Sequence, residues 1–318
     1  MIYLVLFVLL FAIELIYFKI ANHFNIIDKP NERSSHTRIT LRGGGIIFYI
    51  GVLLYFVFEG FQYPYFFVGL SMISLISFAD DIRPQSNKLR LLVHFTAMAL
   101  MFYQWSLFNS PWYFTIFALV VCTGILNAYN FMDGINGITG GYSLVIAGTL
   151  CYIYTYQISF IDTNLLYAFI SALLVFDYFN FRTKAKCFAG DVGSISAAFI
   201  IIFLIGKLIL VTGDCSYILL LAVYGVDAVL TIIHRLILKE NIFKPHRKHL
   251  YQLLANELKM PHLVVTLIYM ILQGLIAYGL FIMQSKTIYC IFVIIILSLI
   301  YLFVKINYYH LHKTKIHS

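Results

Sequence analysis

Charge is what this chain has least of: 11% of its 318 residues are Asp, Glu, Lys or Arg, against roughly 25% in a soluble globular domain. That shortage excludes an ordinary water-soluble fold. Cysteine is sparse too. Cys122, Cys151, Cys187, Cys215 and Cys290 are odd in number and form no C-x-x-C pair, so neither a disulfide framework nor a zinc site is expected. The first apolar run, Met1 to Ile20, lacks the basic flank and small-residue cleavage site of a signal peptide and reads as a retained helix. No internal repeat, low-complexity tract or soluble segment interrupts the chain, so residues 1–318 read as one integral-membrane domain.

What fills the chain instead is apolar. It is 61% hydrophobic and 17% aromatic, and apolar runs of about 20 residues, the span of a bilayer core, recur along it. The pattern predicts an all-α, polytopic transmembrane bundle of about eleven helices. They fall near 2–20, 44–58, 65–79, 91–108, 113–129, 138–156, 164–180, 195–212, 216–237, 262–284 and 288–305. The second and third are short for a full span.

Lys and Arg are retained on the cytoplasmic side of membrane proteins. With the N-terminus outside and the C-terminus cytoplasmic, every Lys and Arg of the 22 except Lys207 and Lys286 falls inside. The net charge of +8 therefore sits on one face, where it holds topology and attracts anionic lipid headgroups. No nucleic-acid partner is needed.

That orientation also brings the unusual polar segments to the same face: Ile27 to Gly45, Phe78 to Arg90, Asn127 to Gly141, Asn180 to Ser194 and Lys244 to Gln252. Within them the motifs FADD, DGING and GDVGS hold four aspartates, Asp80, Asp81, Asp133 and Asp191. At the bilayer centre each carboxylate would cost about 2.5–3.5 kcal/mol, so they belong at the interface or in a wet cleft. Clustered acids repel one another unless a cation joins them, and carboxylate oxygens with open water positions suit Mg²⁺, or Mn²⁺ in its place. A single such aspartate would more often merely cap a helix end. Three acidic motifs on one face favour a site.

Bases lie on the same face: Lys88, Arg38, Arg42, Lys184, Lys186, His246, Arg247 and His249. Taken singly, most are snorkelling interface cations. Together with an acid-bound divalent ion they suit a phosphorylated, anionic substrate. His246 and His249 would share one face of a helical turn; contact with phosphate or sugar, plain loop structure and metal binding all remain open for them. The Gly43–Gly45 triplet, or Gly190 with Gly193, would bring backbone N–H groups within reach of phosphate.

The segments NAYNFMDGINGITGG, FADD, AGDVGS, PHRKHLYQ and DKPNERSSHTRITLRGGG resemble, in the same order, the signature loops of the polyprenyl-phosphate sugar-1-phosphate transferases, the family of the phospho-MurNAc-pentapeptide translocase and the GlcNAc-1-phosphate transferases. The arginine-rich first loop and HRKHLYQ look most like the bacterial branch that starts O-antigen and related glycans. The resemblance implies a bacterial inner-membrane enzyme, active at the cytoplasmic face. It would move N-acetylhexosamine 1-phosphate from a UDP-N-acetylhexosamine to undecaprenyl phosphate and release UMP. It further implies Asp191 as a Mg²⁺ ligand, with Asp80 and Asp81 positioning the metal or the lipid phosphate, and Asp133 with Asn130 in the nucleotide-sugar and metal site. Lys88 would hold phosphate, and His246, Arg247 and His249 would face the diphosphate or the sugar. Asn136, Asn180 and Lys186 join the substrate-binding set, surrounding lipids are partners, and a homodimer fits the family. Two departures stand out: Asn136 occupies the position of a frequent second Asp, and NFRTKAKCFAGD lacks the proline many relatives carry.

The rival class is a secondary transporter with an anion site, whose acids would lie at the midplane. Asp227 in the ninth helix is the one candidate of that kind and reads equally as a polar contact to another helix, whereas Glu14 in the first helix reads as such a contact.

Overall fold

The computed structural model describes residues 2–30, 35, 38–242 and 246–308. Arg33, Lys244, Lys313 and Lys315, which contribute to the charge asymmetry above, lie outside the described residues. Among those described, eleven helices of thirteen residues or more occupy the expected positions: α1 (Ile2–His23), α2 (Ile46–Phe58), α3 (Pro64–Ile82), α4 (Asn87–Gln104), α5 (Trp112–Met132), α6 (Ile138–Tyr156), α7 (Thr163–Asn180), α8 (Gly190–Thr212) and α9 (Ala222–Ile237), then, after the short α10 (Leu250–Gln252), α11 (His262–Ile282) and α12 (Lys286–Tyr308). A 3₁₀ segment over Cys215–Leu221 leads into α9 and a π-turn over Leu253–Glu257 follows α10.

Among the described residues, eight segments are long and apolar enough to cross a bilayer. The expectation of eleven such spans is thus met in part: α2, α4 and α7 fall short. The 13 residues of α2 reach only about 20 Å at 1.5 Å per residue, less than the ~30 Å hydrocarbon core. The third helix, by contrast, is longer than its apolar run suggests. It extends to Ile82 and carries Asp80 and Asp81 in its last turn.

Burial follows position in the bundle. Helix α8 is the central pillar, buried along most of its length and packed against α2, α3, α5 and α6. Its Phe203 stacks on Phe66 of α3 with ring centroids 3.9 Å apart. The outer helices α5 and α12 instead expose aliphatic and aromatic side chains such as Phe117, Val120, Ile291 and Phe292. An apolar outer surface is what lipid requires, and helices keep every backbone group paired there.

Among the described residues, the one departure from all-helical structure lies beside the polar loops. Strands β1 (Ile27–Asp28) and β2 (Thr40–Leu41) pair antiparallel, and the Phe188 N–H donates to the Leu41 carbonyl at 2.8 Å. This tie joins the loop after α1 to the loop before α8. A two-residue ladder leaves no periodic signature in a sequence.

Candidate active site

Helix α8 starts four to five residues earlier than its apolar run implies, so Asp191 lies in its first turn rather than in the preceding loop. The cause is Asp81. Its Oδ1 accepts the N–H of Asp191 at 2.9 Å and its Oδ2 accepts that of Val192 at 3.0 Å, so a carboxylate from the end of α3 satisfies amides at the N-terminus of α8, where negative charge is favoured. Gly190 makes the approach possible: its φ is +72°, and a Cβ there would lie 2.5 Å from Asp81 Oδ2.

Two arginines complete a ladder of charges. Arg42 Nε lies 2.6 Å from Asp81 Oδ1 and its Nη2 3.3 Å from Asp191 Oδ1. Arg90 spans Asp80 at 3.0 Å and Asp191 at 3.6 Å. Asp191 is therefore held between two guanidinium groups, and Asp80 is further fixed by the Gln85 N–H at 2.7 Å. Arg90 is in place because α4 begins at Asn87, capped by the Ser86 hydroxyl accepting the Leu89 N–H at 3.3 Å, earlier than expected.

Asp191 opens onto a cavity of about 280 Å³ whose opposite wall is the turn between α5 and α6, with Asp133, Gly134 and Ile135. Asn130, Asn136 and Asn180 also line it, together with Asp28 and His262. This answers why α5 breaks. Asp133 ends the helix, its Oδ1 accepting the Thr139 hydroxyl at 2.6 Å, and Gly137 turns the chain with φ +81° into α6. Asn130 Nδ2 is buried at the cavity with no hydrogen-bond partner among the described residues. Asn180 is spent on structure: its Oδ1 accepts the Gly137 N–H at 2.6 Å and its Nδ2 donates to the Cys187 carbonyl at 2.7 Å. Asn136 likewise donates to the Arg182 carbonyl at 2.7 Å. The two amides clamp the loops that carry Asp133 and Asp191.

Other expected residues lie apart. Lys88 is exposed on α4 and lines neither this cavity nor its neighbour; Arg90, two residues on, makes the contacts. Lys186, with Arg38 and Lys184, lines an adjoining groove of about 820 Å³ that shares Asn136, Phe188 and His262 with the first cavity. The N–H groups of Gly44 and Gly45, expected to face phosphate, donate instead to the carbonyls of Phe188 and Ala189. His246 and His249 lie with ring centroids 4.9 Å apart, on a loop rather than a helical turn, and Arg247 reaches Glu257 at 3.9 Å. The Tyr251 hydroxyl donates to the Phe131 carbonyl at 2.9 Å, so this loop is docked on the Asp133 segment. Burial, with His249 and nearby Arg235 and Lys248, pulls the His246 imidazole down to about 3, which leaves it neutral.

Burial also pushes the Asp133 carboxyl up to about 7, with Asp191 and Asp81 adding to the effect and the Thr139 hydroxyl and Arg42 opposing it. A raised folded-state value means that stability is full below the ordinary carboxylate range and is lost as pH rises through about 7. Without divalent ions, the melting temperature should therefore fall between pH 5 and 8, and Asp133→Asn should flatten the slope. A divalent ion held by Asp133 would raise the melting temperature more at pH 8 than at pH 6, because the ionised carboxylate is the form that binds it. Thermal scans across pH with and without Mg²⁺ check this; an unchanged slope in Asp133→Asn would move the titration elsewhere.

The fold and site define a class: a multi-helix membrane protein with an acidic, arginine-clad cavity at one end of its central helices. The sequence profile of glycosyl transferase family 4 matches residues 63–209, from α3 into α8, including Asp80, Asp81, Asp133 and Asp191. Over that stretch, a little under half of its length, the chain is similar to that family. It is similar to the probable undecaprenyl-phosphate N-acetylglucosaminyl 1-phosphate transferase of Bacillus subtilis, with 25% identity over 89% of this chain and 84% of the relative. The undecaprenyl-phosphate alpha-N-acetylglucosaminyl 1-phosphate transferases of Yersinia pestis and Escherichia coli K12 are 27% and 24% identical to it, each over 75% of this chain and 72% and 71% of the relative.

Proposed function

We propose that this chain is a sugar-1-phosphate transferase of the bacterial inner membrane that moves N-acetylhexosamine 1-phosphate from a UDP-sugar to undecaprenyl phosphate, releasing UMP and starting a lipid-linked surface glycan such as O-antigen. The observation that carries the reading is the cavity in which Asp133 and Asp191 face one space beside Arg42. Two carboxylates that share a pocket with basic groups suit a Mg²⁺-bound diphosphate. Mg²⁺ fits the donor set in one form. No group of three or more His, Cys, Asp or Glu that could hold a metal lies among the described residues, but Mg²⁺ is commonly carried by one or two carboxylates plus substrate phosphates. Asp133 and Asp191 would hold it, and Asp80 and Asp81 would position Arg90 and Arg42. When bound, the ion supplies charge neutralisation and alignment of the phosphates.

The chain's own groups then do the rest. Arg42 and Arg90, which now neutralise Asp191, present forked donors to phosphate oxygens. Asn130 offers its unpartnered amide to the nucleotide sugar. An oxygen of the lipid phosphate attacks the β-phosphorus of the UDP-sugar, that P–O bond forms, and the bond to UMP breaks in one displacement.

The direct test is UMP release by the purified protein given undecaprenyl phosphate, Mg²⁺ and a panel of UDP-N-acetylhexosamines. Release that requires both lipid and Mg²⁺ is the expected result, and its absence with every donor rejects the reading. Topology supplies a second test. Cysteine labelling should place 83–86, 181–189 and 246–249 in the cytoplasm and 157–162 outside, and any of the first three found outside would split the site.

A further inference from the structure

Asp227 lies inside α9 and is 3% exposed. An aspartate buried in a membrane bundle is costly and calls for partners. It has several. Leu250 N–H and the Thr231 hydroxyl donate to Oδ1 at 2.8 and 3.2 Å, and the Tyr269 hydroxyl donates to Oδ2 at 2.7 Å. The Tyr251 N–H adds a longer contact to Oδ2 at 3.4 Å, and His249 Nδ1 stands 3.5 Å from Oδ1. One carboxylate within α9 thus gathers α11 and the His249–Tyr251 turn.

The far side of that turn touches the candidate site. The His249 ring stacks against Phe131 with centroids 6.0 Å apart, the Tyr251 hydroxyl holds the Phe131 carbonyl, and the same hydroxyl occupies the space a Cβ on Gly134 would need. Phe131 and Gly134 bracket Asp133. Both His249 ring nitrogens are buried without a hydrogen bond among the described residues, and Nδ1 is the one at ion-pair distance from Asp227.

We propose that Asp227 is a positioning residue for the transfer reaction: it seats the His249–Tyr251 turn on the Asp133 segment and turns the His249 imidazole so that Nδ1 faces the carboxylate. The proposal rests on the transferase reading above. A carboxylate beside one imidazole nitrogen sets which nitrogen carries the proton and how the ring is oriented, and removing such a partner typically costs about 10- to 100-fold.

The test is a double-mutant cycle on the full-length protein in detergent, following UMP release from UDP-N-acetylglucosamine and undecaprenyl phosphate. Asp227→Asn should lower kcat/KM for the UDP-sugar by about 10- to 100-fold and leave KM for the lipid nearly unchanged. His249→Gln should do the same, and the double variant should be scarcely worse than either single one, the signature of residues that act as a unit. Tyr269→Phe removes one hydroxyl donor from Asp227 and should give a smaller loss, also non-additive with His249→Gln; it carries the cycle if Asp227→Asn fails to fold. Additive losses with an active wild type overturn this proposal alone, as do losses that vanish when rates are expressed per folded molecule. A wild type that releases no UMP overturns the transferase reading and this proposal with it.

Discussion

Asp191→Asn is expected to lower kcat by about a hundred- to a thousandfold while the protein stays folded. The side chain opens onto the cavity shared with Asp133, and its structural work is done by other atoms. The Asp191 backbone N–H, rather than its carboxylate, is what Asp81 binds. An asparagine retains the shape and still offers Arg42 an oxygen, yet it lacks the charge that would hold a divalent ion against competing water. Steady-state rates at saturating and limiting Mg²⁺, read alongside thermal melting in detergent, check both halves. Activity within tenfold of wild type at limiting Mg²⁺ would remove Asp191 from the ion's ligands.

Asp81→Ala should show the opposite balance. This carboxylate is fully buried and accepts two amides of α8 and the Arg42 guanidinium. Breaking a buried charged pair from one side typically costs about 3–5 kcal/mol. Arg42 keeps 32% of its side chain exposed, so solvent recovers part of that, and about 2–4 kcal/mol is the expected loss. The melting temperature should fall by roughly 5 °C or more, and the remaining activity should be partly restored at low temperature. A protein that melts like wild type and yet is inactive at every temperature would instead make Asp81 a direct ligand of the ion.

These two aspartates mark how far the sequence could be read. FADD and GDVGS announce that Asp80, Asp81 and Asp191 matter, because acids beside glycines at the ends of apolar runs need a reason to be there. Nothing in the motifs separates the three roles. Asp81 and Asp191 are joined by an amide hydrogen bond across 110 residues of chain, and which acid caps and which faces the cavity depends on how α3 packs on α8. The arginines illustrate the same limit. Arg42 is legible as one cation among many on its face, with the Gly43–Gly45 triplet after it as the only local hint, and Arg90 is hidden by the attention that Lys88 attracts. Lys88 and Arg90 stand two positions apart on a helix, so they point in different directions, and the start of α4 decides which one reaches the acids.

Asp227 was legible as an anomaly only. A charge within an apolar helix signals a partner, but its partners are backbone N–H groups of a turn 23 and 24 residues away and hydroxyls on α9 itself and α11. Backbone donors have no sequence identity.

The apolar runs alone determine that the chain is a helical membrane bundle and where each long helix falls, since hydrocarbon permits no unpaired backbone and a helix pairs its own. The asymmetry of Lys and Arg predicts which face is cytoplasmic, and the acids and bases that share it point to phosphate chemistry there. Tertiary structure alone decides that Asp133 and Asp191 share one cavity, that Asn136 and Asn180 clamp its loops, and that Arg42 and Arg90 rather than Lys88 hold its charge. Each of those facts is a contact between segments far apart in the chain, set by the packing of α3, α5 and α8, and no local pattern encodes the distance between two helices.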